Sequence, residues 1–185
     1  MPRVGLDSAA VVSAAAELIE RRGFEALTLS ALASELGVKP PSLYAHVGGL
    51  DDLRRRLTVF CAEQLADAIG QAGVGLSRAD ALRAVARAYR GWVLQHPNLY
   101  SAIESGAPQP DEPSVERVLE IVLSVLRGYG LEQDAAIHAA RTLRSALNGF
   151  TSLESGGGFA IPVDLDESFE WMLSALDRAF SSPSG

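Results

Sequence analysis

Apolar residues recur every three or four positions along most of this chain, the spacing of an amphipathic helix. Val12, Ala15, Ala16 and Ile19 predict a helix over 8–22, with Asp7 or Ser8 to cap it and Gly23 to stop it. Thr28 heads a two-turn helix carrying Leu29, Leu32, Ala33 and Leu36, which Gly37 ends. Pro40 and Pro41 suit a first turn, where backbone N–H groups lack partners, so Ser42–His46 reads as a third short helix closed by Gly48 and Gly49. A longer helix starts at Asp51 and carries Leu53, Leu57, Phe60, Cys61 and Leu65 toward the glycines at 70–75. Leu82, Val85, Ala86, Tyr89 and Val93 mark another, from Ser77 or Arg78 to Gln95, broken by His96-Pro97. A short segment at 98–105 precedes a loop over 106–113 that holds three prolines. Val115, Val118, Leu119, Val122 and Leu126 then predict a helix ending at Gly128 or Gly130. Two long helices follow, over 132–154 and 165–180, separated by a glycine-rich loop, with Asp164 and Glu167 in capping-box spacing and a frayed tail at 181–185. No stretch alternates with period two, so the fold expected is all-α.

Composition narrows the class. The chain has 185 residues, 48% of them hydrophobic, enough for a buried core and too apolar for a disordered tail. A lone cysteine, Cys61, permits neither an internal disulfide nor a CxxC pair. The N-terminus lacks the apolar stretch of a signal peptide and no window is apolar enough to span a bilayer, so the expected location is the cytoplasm, away from membrane. The net charge of −7 argues against nucleic acid as a partner until its distribution is considered. Residues 1–60 hold seven basic and seven acidic side chains, so the whole excess lies in 61–185, and the two parts have different electrostatic tasks.

Two short helices joined by a glycine turn, the second presenting small polar, aromatic and histidine side chains, form a helix-turn-helix that inserts its second helix into the major groove of DNA. The run Leu27-Thr28-Leu29, Leu32-Ala33, Leu36-Gly37-Val38, Pro41 to Val47 and Asp52-Leu53 resembles the TetR family of bacterial transcriptional repressors. The resemblance implies a helix-turn-helix DNA-binding domain over 1–50 and a helical ligand-binding and dimerisation domain over 51–185. It also implies a homodimer on a palindromic double-stranded operator, released by a small-molecule inducer. In the family pattern Thr28 caps the second helix near a phosphate, Tyr44 reaches the DNA backbone, and Lys39, Pro41, Ser42 and His46 face base edges or the groove wall. The chemistry agrees: Lys39 can donate to guanine, Pro41 can touch a thymine methyl, and Ser42 can donate or accept. Leu43 and Val47 read as core. Two departures stand out: Leu50 replaces a phosphate-gripping lysine, and Val47 a commoner phenylalanine. Arg54, Arg55 and Arg56 either compensate for that lost grip or form a solvated face.

The remainder resembles the WHG type of C-terminal domain through Trp92, His96-Pro97, Leu99-Tyr100, the stretch Arg144–Phe150, and Gly157-Gly158-Phe159 with Pro162-Val163-Asp164; Asn148 stands where a histidine is usual. Tyr89, Trp92, Tyr100 and Phe150 are either core or the walls of an apolar cavity, with His96, Arg144 and Asn148 as candidate polar ligand contacts. Arg141, Arg144, Ser145, Asn148 and Ser152 form one polar stripe, which either lines that pocket or faces solvent. The last two helices are expected to carry the dimer contact, through Leu143, Leu147, Phe169, Leu173, Leu176 and Phe180. His46, His96 and His138 show no metal-ligand spacing, Gly156–Gly158 lacks a phosphate-loop lysine, and GxSxG is absent. Asp164, Asp166, Glu167 and Glu170 read as capping residues before they read as a cation site. No enzyme activity, metal or cofactor is expected; the alternative is a helical small-molecule-binding enzyme or interaction module without DNA binding.

Overall fold

The computed structural model describes residues 6–105 and 113–182. Among them are eight α-helices and no strand: α1 (Ser8–Arg22), α2 (Leu29–Glu35), α3 (Leu50–Gly73), α4 (Arg78–Gln95), α5 (Pro97–Ser105), α6 (Pro113–Arg127), α7 (Gln133–Ser155) and α8 (Leu165–Ser181). Short 3-10 segments lie at Phe24–Ala26 and Pro40–Ala45. The expected loop at 106–113 lies outside the described residues up to its last proline, Pro113, which opens α6. Of the expected frayed tail, Ser181 closes α8 and 183–185 lie outside.

Helix boundaries follow caps. The Ala10 amide donates to Asp7 Oδ1 at 2.7 Å to start α1, Ala31 to Thr28 Oγ1 at 3.0 Å to start α2, and Glu167 to Asp164 Oδ1 at 2.9 Å to start α8. Gly37, at φ +65°, supplies the left-handed turn after α2 that a side chain would strain.

The described residues of Met1–Ala62 and His96–Val115 form one compact unit, and those of Glu63–Gln95 and Glu116–Gly185 another. This partition differs from a single cut after residue 50, because the first turns of α3 and all of α5 are tied to the N-terminal helices. Arg56 donates to Ser8 Oγ at 2.8 Å, Thr58 Oγ1 to the Ala102 carbonyl at 3.0 Å, and Asn98 Nδ2 to the Glu20 carbonyl at 3.0 Å. The core of this unit joins Val11, Ala15, Leu18 and Ile19 of α1 to Leu32, Leu43, Leu53, Leu57 and Leu99, all buried. In the second unit α4, α7 and α8 pack pairwise on one another around Leu82, Val85, Leu143, Leu147, Phe169 and Leu173.

Candidate nucleic-acid interface

After the turn at Gly37 the chain enters the 3-10 segment Pro40–Ala45, which is the third short helix expected there. Two consecutive prolines contribute no N–H, and the bonds that do form are short-range: Ser42 N donates to the Lys39 carbonyl and His46 N to the Leu43 carbonyl, both at 2.9 Å. Leu43 is fully buried and Val47 nearly so, which pins the segment to the core and sets which side chains point outward. Lys39, Pro41 and Ser42 are exposed, Tyr44 is 62% exposed, and His46 is half-buried. Thr28 is exposed too, with its hydroxyl accepting the α2 cap bond. The segment thus holds a large aromatic in water beside Lys39, a cation with no ion-pair partner among the described residues.

Asp52 braces this segment. The Gly48 amide donates to its Oδ2 at 2.9 Å, while Arg55 and Arg56 hold its two oxygens at 3.0 and 2.8 Å. The Gly48 bond foremost, against a desolvation cost and with help from Arg56 and Arg55, keeps this carboxyl below its ordinary pKa. Arg54 lies 5.7 Å from the Phe24 ring centroid. Arg55 and Arg56 are therefore engaged with Asp52 within the chain, while Arg54 lies against Phe24.

The residues expected to contact a ligand divide between the units. Tyr89, half-buried, and Trp92, buried, belong to the second, as do Arg144, Asn148 and Phe150; His96 and Tyr100, both half-buried, belong to the first. His96 Nδ1 lies 2.6 Å from Glu20 Oε1, tying the start of α5 to α1. Arg141, Arg144, Ser145 and Ser152 are exposed and Asn148 half-buried, so the polar stripe faces outward in the single chain. A cavity of about 210 Å³ lies elsewhere in the second unit, lined by Gly70, Gly73, Ser77, Val85, Ile121 and Ser124 among others and by none of the expected contacts.

Of the six residues expected at the dimer contact, none is exposed in the single chain. Leu143, Leu147, Phe169, Leu173 and Phe180 are buried and Leu176 half-buried within the single chain, because α7 and α8 spend their apolar stripes on α4 and on each other. The outward side chains of α8 include Trp171, 73% exposed.

Sequence reasoning missed Arg90. Its guanidinium reaches both Glu154 oxygens at 2.6 and 2.7 Å and Asp166 Oδ1 at 2.7 Å, and lies 5.6 and 4.8 Å from the ring centroids of Phe150 and Phe169. Phe150 in turn packs edge-on against Phe169 and at a tilt against Phe159 of the loop, with ring centroids 5.1 and 5.0 Å apart. These contacts fasten α4 to both ends of the α7–α8 connection, and the paired carboxylates raise the arginine pKa. Three of the four acids at 164–170 are engaged within the chain: Asp164 caps α8, Asp166 pairs with Arg90, and Glu170 with Arg87 at 2.6 Å. Burial, with a smaller push from the Glu20 charge, raises the Cys61 thiol pKa to about 12, far from a reactive thiolate.

A helix-turn-helix with an outward recognition segment, followed by a separate helical unit, is the architecture of a DNA-binding transcriptional regulator. Residues 11–57 match the bacterial regulatory proteins of the tetR family, and residues 82–176 match the tetracyclin repressor-like C-terminal domain. The chain belongs to the TetR family of transcriptional regulators. It is 36% identical over 175 residues to the HTH-type transcriptional regulator Rv0681 of Mycobacterium tuberculosis, spanning 92% of this chain and 80% of that one. It is 33% identical over 175 residues to YobS, an HTH-type transcriptional regulator of Bacillus subtilis, spanning 93% and 91%. The Streptomyces coelicolor TetR family protein ActR, solved in complex with (S)-DNPA, shares the fold at a TM-score of 0.75 and 21% identity over 98% of this chain and 100% of that one. Among the described residues no helix is long and apolar enough to cross a membrane.

Proposed function

We propose that this regulator is a cytoplasmic repressor that binds a palindromic operator as a homodimer and releases it when a small-molecule inducer occupies the C-terminal unit. The observation that carries the reading is the outward display of Lys39, Pro41, Ser42 and Tyr44 over the buried anchors Leu43 and Val47. Lys39 reads a base edge; Tyr44 and the α2 N-terminus at Thr28 position the segment on phosphates. His46, half-buried at the end of the segment, lines the groove wall.

One head of this size offers too few base contacts to specify a site, so a two-fold pair on a two-fold operator supplies the rest. The inducer reading rests on family membership and on the structural relative solved with a small molecule. By linkage, an inducer that weakens operator binding must itself be weakened by operator to the same factor. Its candidate contacts are those of the second unit: Tyr89, Trp92, Arg144, Asn148 and Phe150.

Selection of bound fragments from a random DNA pool tests the reading. The expected result is one enriched inverted repeat, bound by two copies of the chain, with affinity falling steeply as salt rises. Enrichment of no sequence, or of a single unrepeated half-site bound by one copy, contradicts it. Turnover of a small molecule by the purified chain with no DNA binding would favour the enzyme alternative.

A further inference from the structure

The cavity of about 210 Å³ in the second unit lies where the last turn of α3, the start of α4 and the end of α6 meet, and no side chain expected to hold an inducer lines it. Three glycines set its walls. A Cβ at Gly70 would lie 3.2 Å from Ile121 Cδ1, one at Gly73 3.2 Å from Val85 Cγ2, and one at Gly128 3.3 Å from the Arg78 amide nitrogen. The three elements therefore already approach closely around the space without entering it. A void between close-packed walls forgoes the contacts of whatever would fill it. Val74 and Leu76, both exposed, also line the cavity, so it reaches water at an apolar rim.

The lining chemistry selects a guest. None of the described lining residues is ionisable, so a charge taken in there would lose hydration and meet no partner. Arg78, next in sequence to the lining, holds its guanidinium 5.5 Å from the Tyr129 ring centroid. The two side-chain polar groups of the lining are the hydroxyls of Ser77 and Ser124. Ser77 stands at the cap position of α4, where its carbonyl accepts from the Ala81 amide at 3.3 Å. Its hydroxyl makes no capping bond, unlike the side chains of Asp7, Thr28 and Asp164, and the Ser124 hydroxyl also has no hydrogen-bond partner among the described residues. Each can donate to or accept from a polar atom of a guest. A cavity of about 150 Å³ admits benzene, so this one suits a molecule of about eight heavy atoms.

We propose that this cavity binds a neutral, compact, mostly apolar molecule that carries one hydroxyl or carbonyl group, of the class of cyclic alcohols and ketones, with its polar atom held by Ser77 and Ser124. The site shares no residue with Tyr89, Trp92, Arg144, Asn148 and Phe150. It also differs in what it takes, because that set offers an arginine to an anion and this lining offers no charge at all. The assignment goes beyond the inducer reading and does not depend on it.

Calorimetric titration of the full chain compares cyclohexanol and cyclohexanone with two charged molecules of the same shape, cyclohexanecarboxylate and cyclohexylammonium. Saturable binding of one neutral probe per chain is expected, with both charged probes at least about a hundredfold weaker. Ser124→Leu puts a better helix former on α6 and fills the space, so it is expected to keep its helical circular dichroism and abolish the binding. Ser77→Ala is expected to weaken binding about fivefold, the effect of one lost neutral hydrogen bond. Should Ser124→Leu fail to fold, Ser124→Cys decides. Cys61 is fully buried, so the introduced thiol is the one open to an aromatic disulfide reagent. Cyclohexanol at about ten times its dissociation constant is expected to slow that modification about tenfold, and an unchanged rate rejects the site. No saturable binding of either neutral probe, equal binding of the charged ones, or binding that survives Ser124→Leu overturns the assignment. Loss of binding in Asn148→Leu together with retention in Ser124→Leu overturns it by moving the probe to the inducer contacts. Each of these failures leaves the operator reading intact, and failure of the DNA selection leaves this assignment intact.

Discussion

The recognition segment Lys39–Val47 and the α7–α8 hairpin present opposite relations between apolar pattern and surface. In the first, two apolar residues hold the segment down and almost everything else points into water. In the second, long apolar stripes are absorbed by the unit's own core, and what faces water is what breaks the pattern, Trp171 included. A short segment with few anchors displays its function through residue type. A long amphipathic pair hides its function, because its most regular positions report packing inside the chain.

The largest expected effect breaks the first region at its anchor. Leu43→Ala removes a fully buried side chain and should destabilise the N-terminal unit by about 2–5 kcal/mol, abolishing operator binding; thermal and urea unfolding check it. The matching test in the second region is Arg90→Met, which strands Glu154 in a site where both side chains are largely covered. The cost should be about 3 kcal/mol, the low end for removing one partner of a buried pair, and Glu154→Gln in the same chain should recover part of it. A third test sharpens the contrast, because it should leave stability unchanged: Tyr44→Ala is expected to weaken DNA binding evenly across sequences, as loss of a backbone contact does. Equal affinity of this variant and wild type would remove the segment from the interface.

The smallest effect is a pH dependence. The native pKa of Asp52 is lowered, so its contribution to stability is complete above the ordinary carboxylate range and is lost as pH falls through the native value. Asp52→Asn should therefore flatten part of the acid-side decline in the midpoint of the N-terminal unit, while unfolding of the second unit keeps its own profile. Unchanged acid sensitivity in Asp52→Asn would show that the Gly48 brace carries no stability.

The legibility of the chain divides along the same line. The ends of α1, α2 and α8 could be read because Asp7, Thr28 and Asp164 cap them through bonds only three residues long. The short helix after Gly37 is legible along the chain; its 3-10 winding follows from Pro40 and Pro41, which remove the donors that a full α-turn needs. Lys39, Pro41, Ser42 and Tyr44 are legible as a surface because Leu43 and Val47 fix the phase of their segment, and Thr28 because it caps α2. Arg90 was not, since its partners Glu154 and Asp166 lie 64 and 76 residues away. The α8 stripe was legible as apolar, but periodicity alone does not say whether a stripe meets its own chain or another. The structure decides that Leu143, Leu147, Phe169 and Leu173 meet their own.

The central claim is that residues 39–46 read an operator base by base from two symmetric copies. Its most direct test is the affinity of wild type and Lys39→Ala for every single-base variant of the selected operator. Lys39→Ala is expected to lose about 1–3 kcal/mol of discrimination at one position of each half-site, symmetry-related, and to keep wild-type preferences elsewhere. An even loss of affinity at all positions, or a change confined to one half of the site, would contradict it.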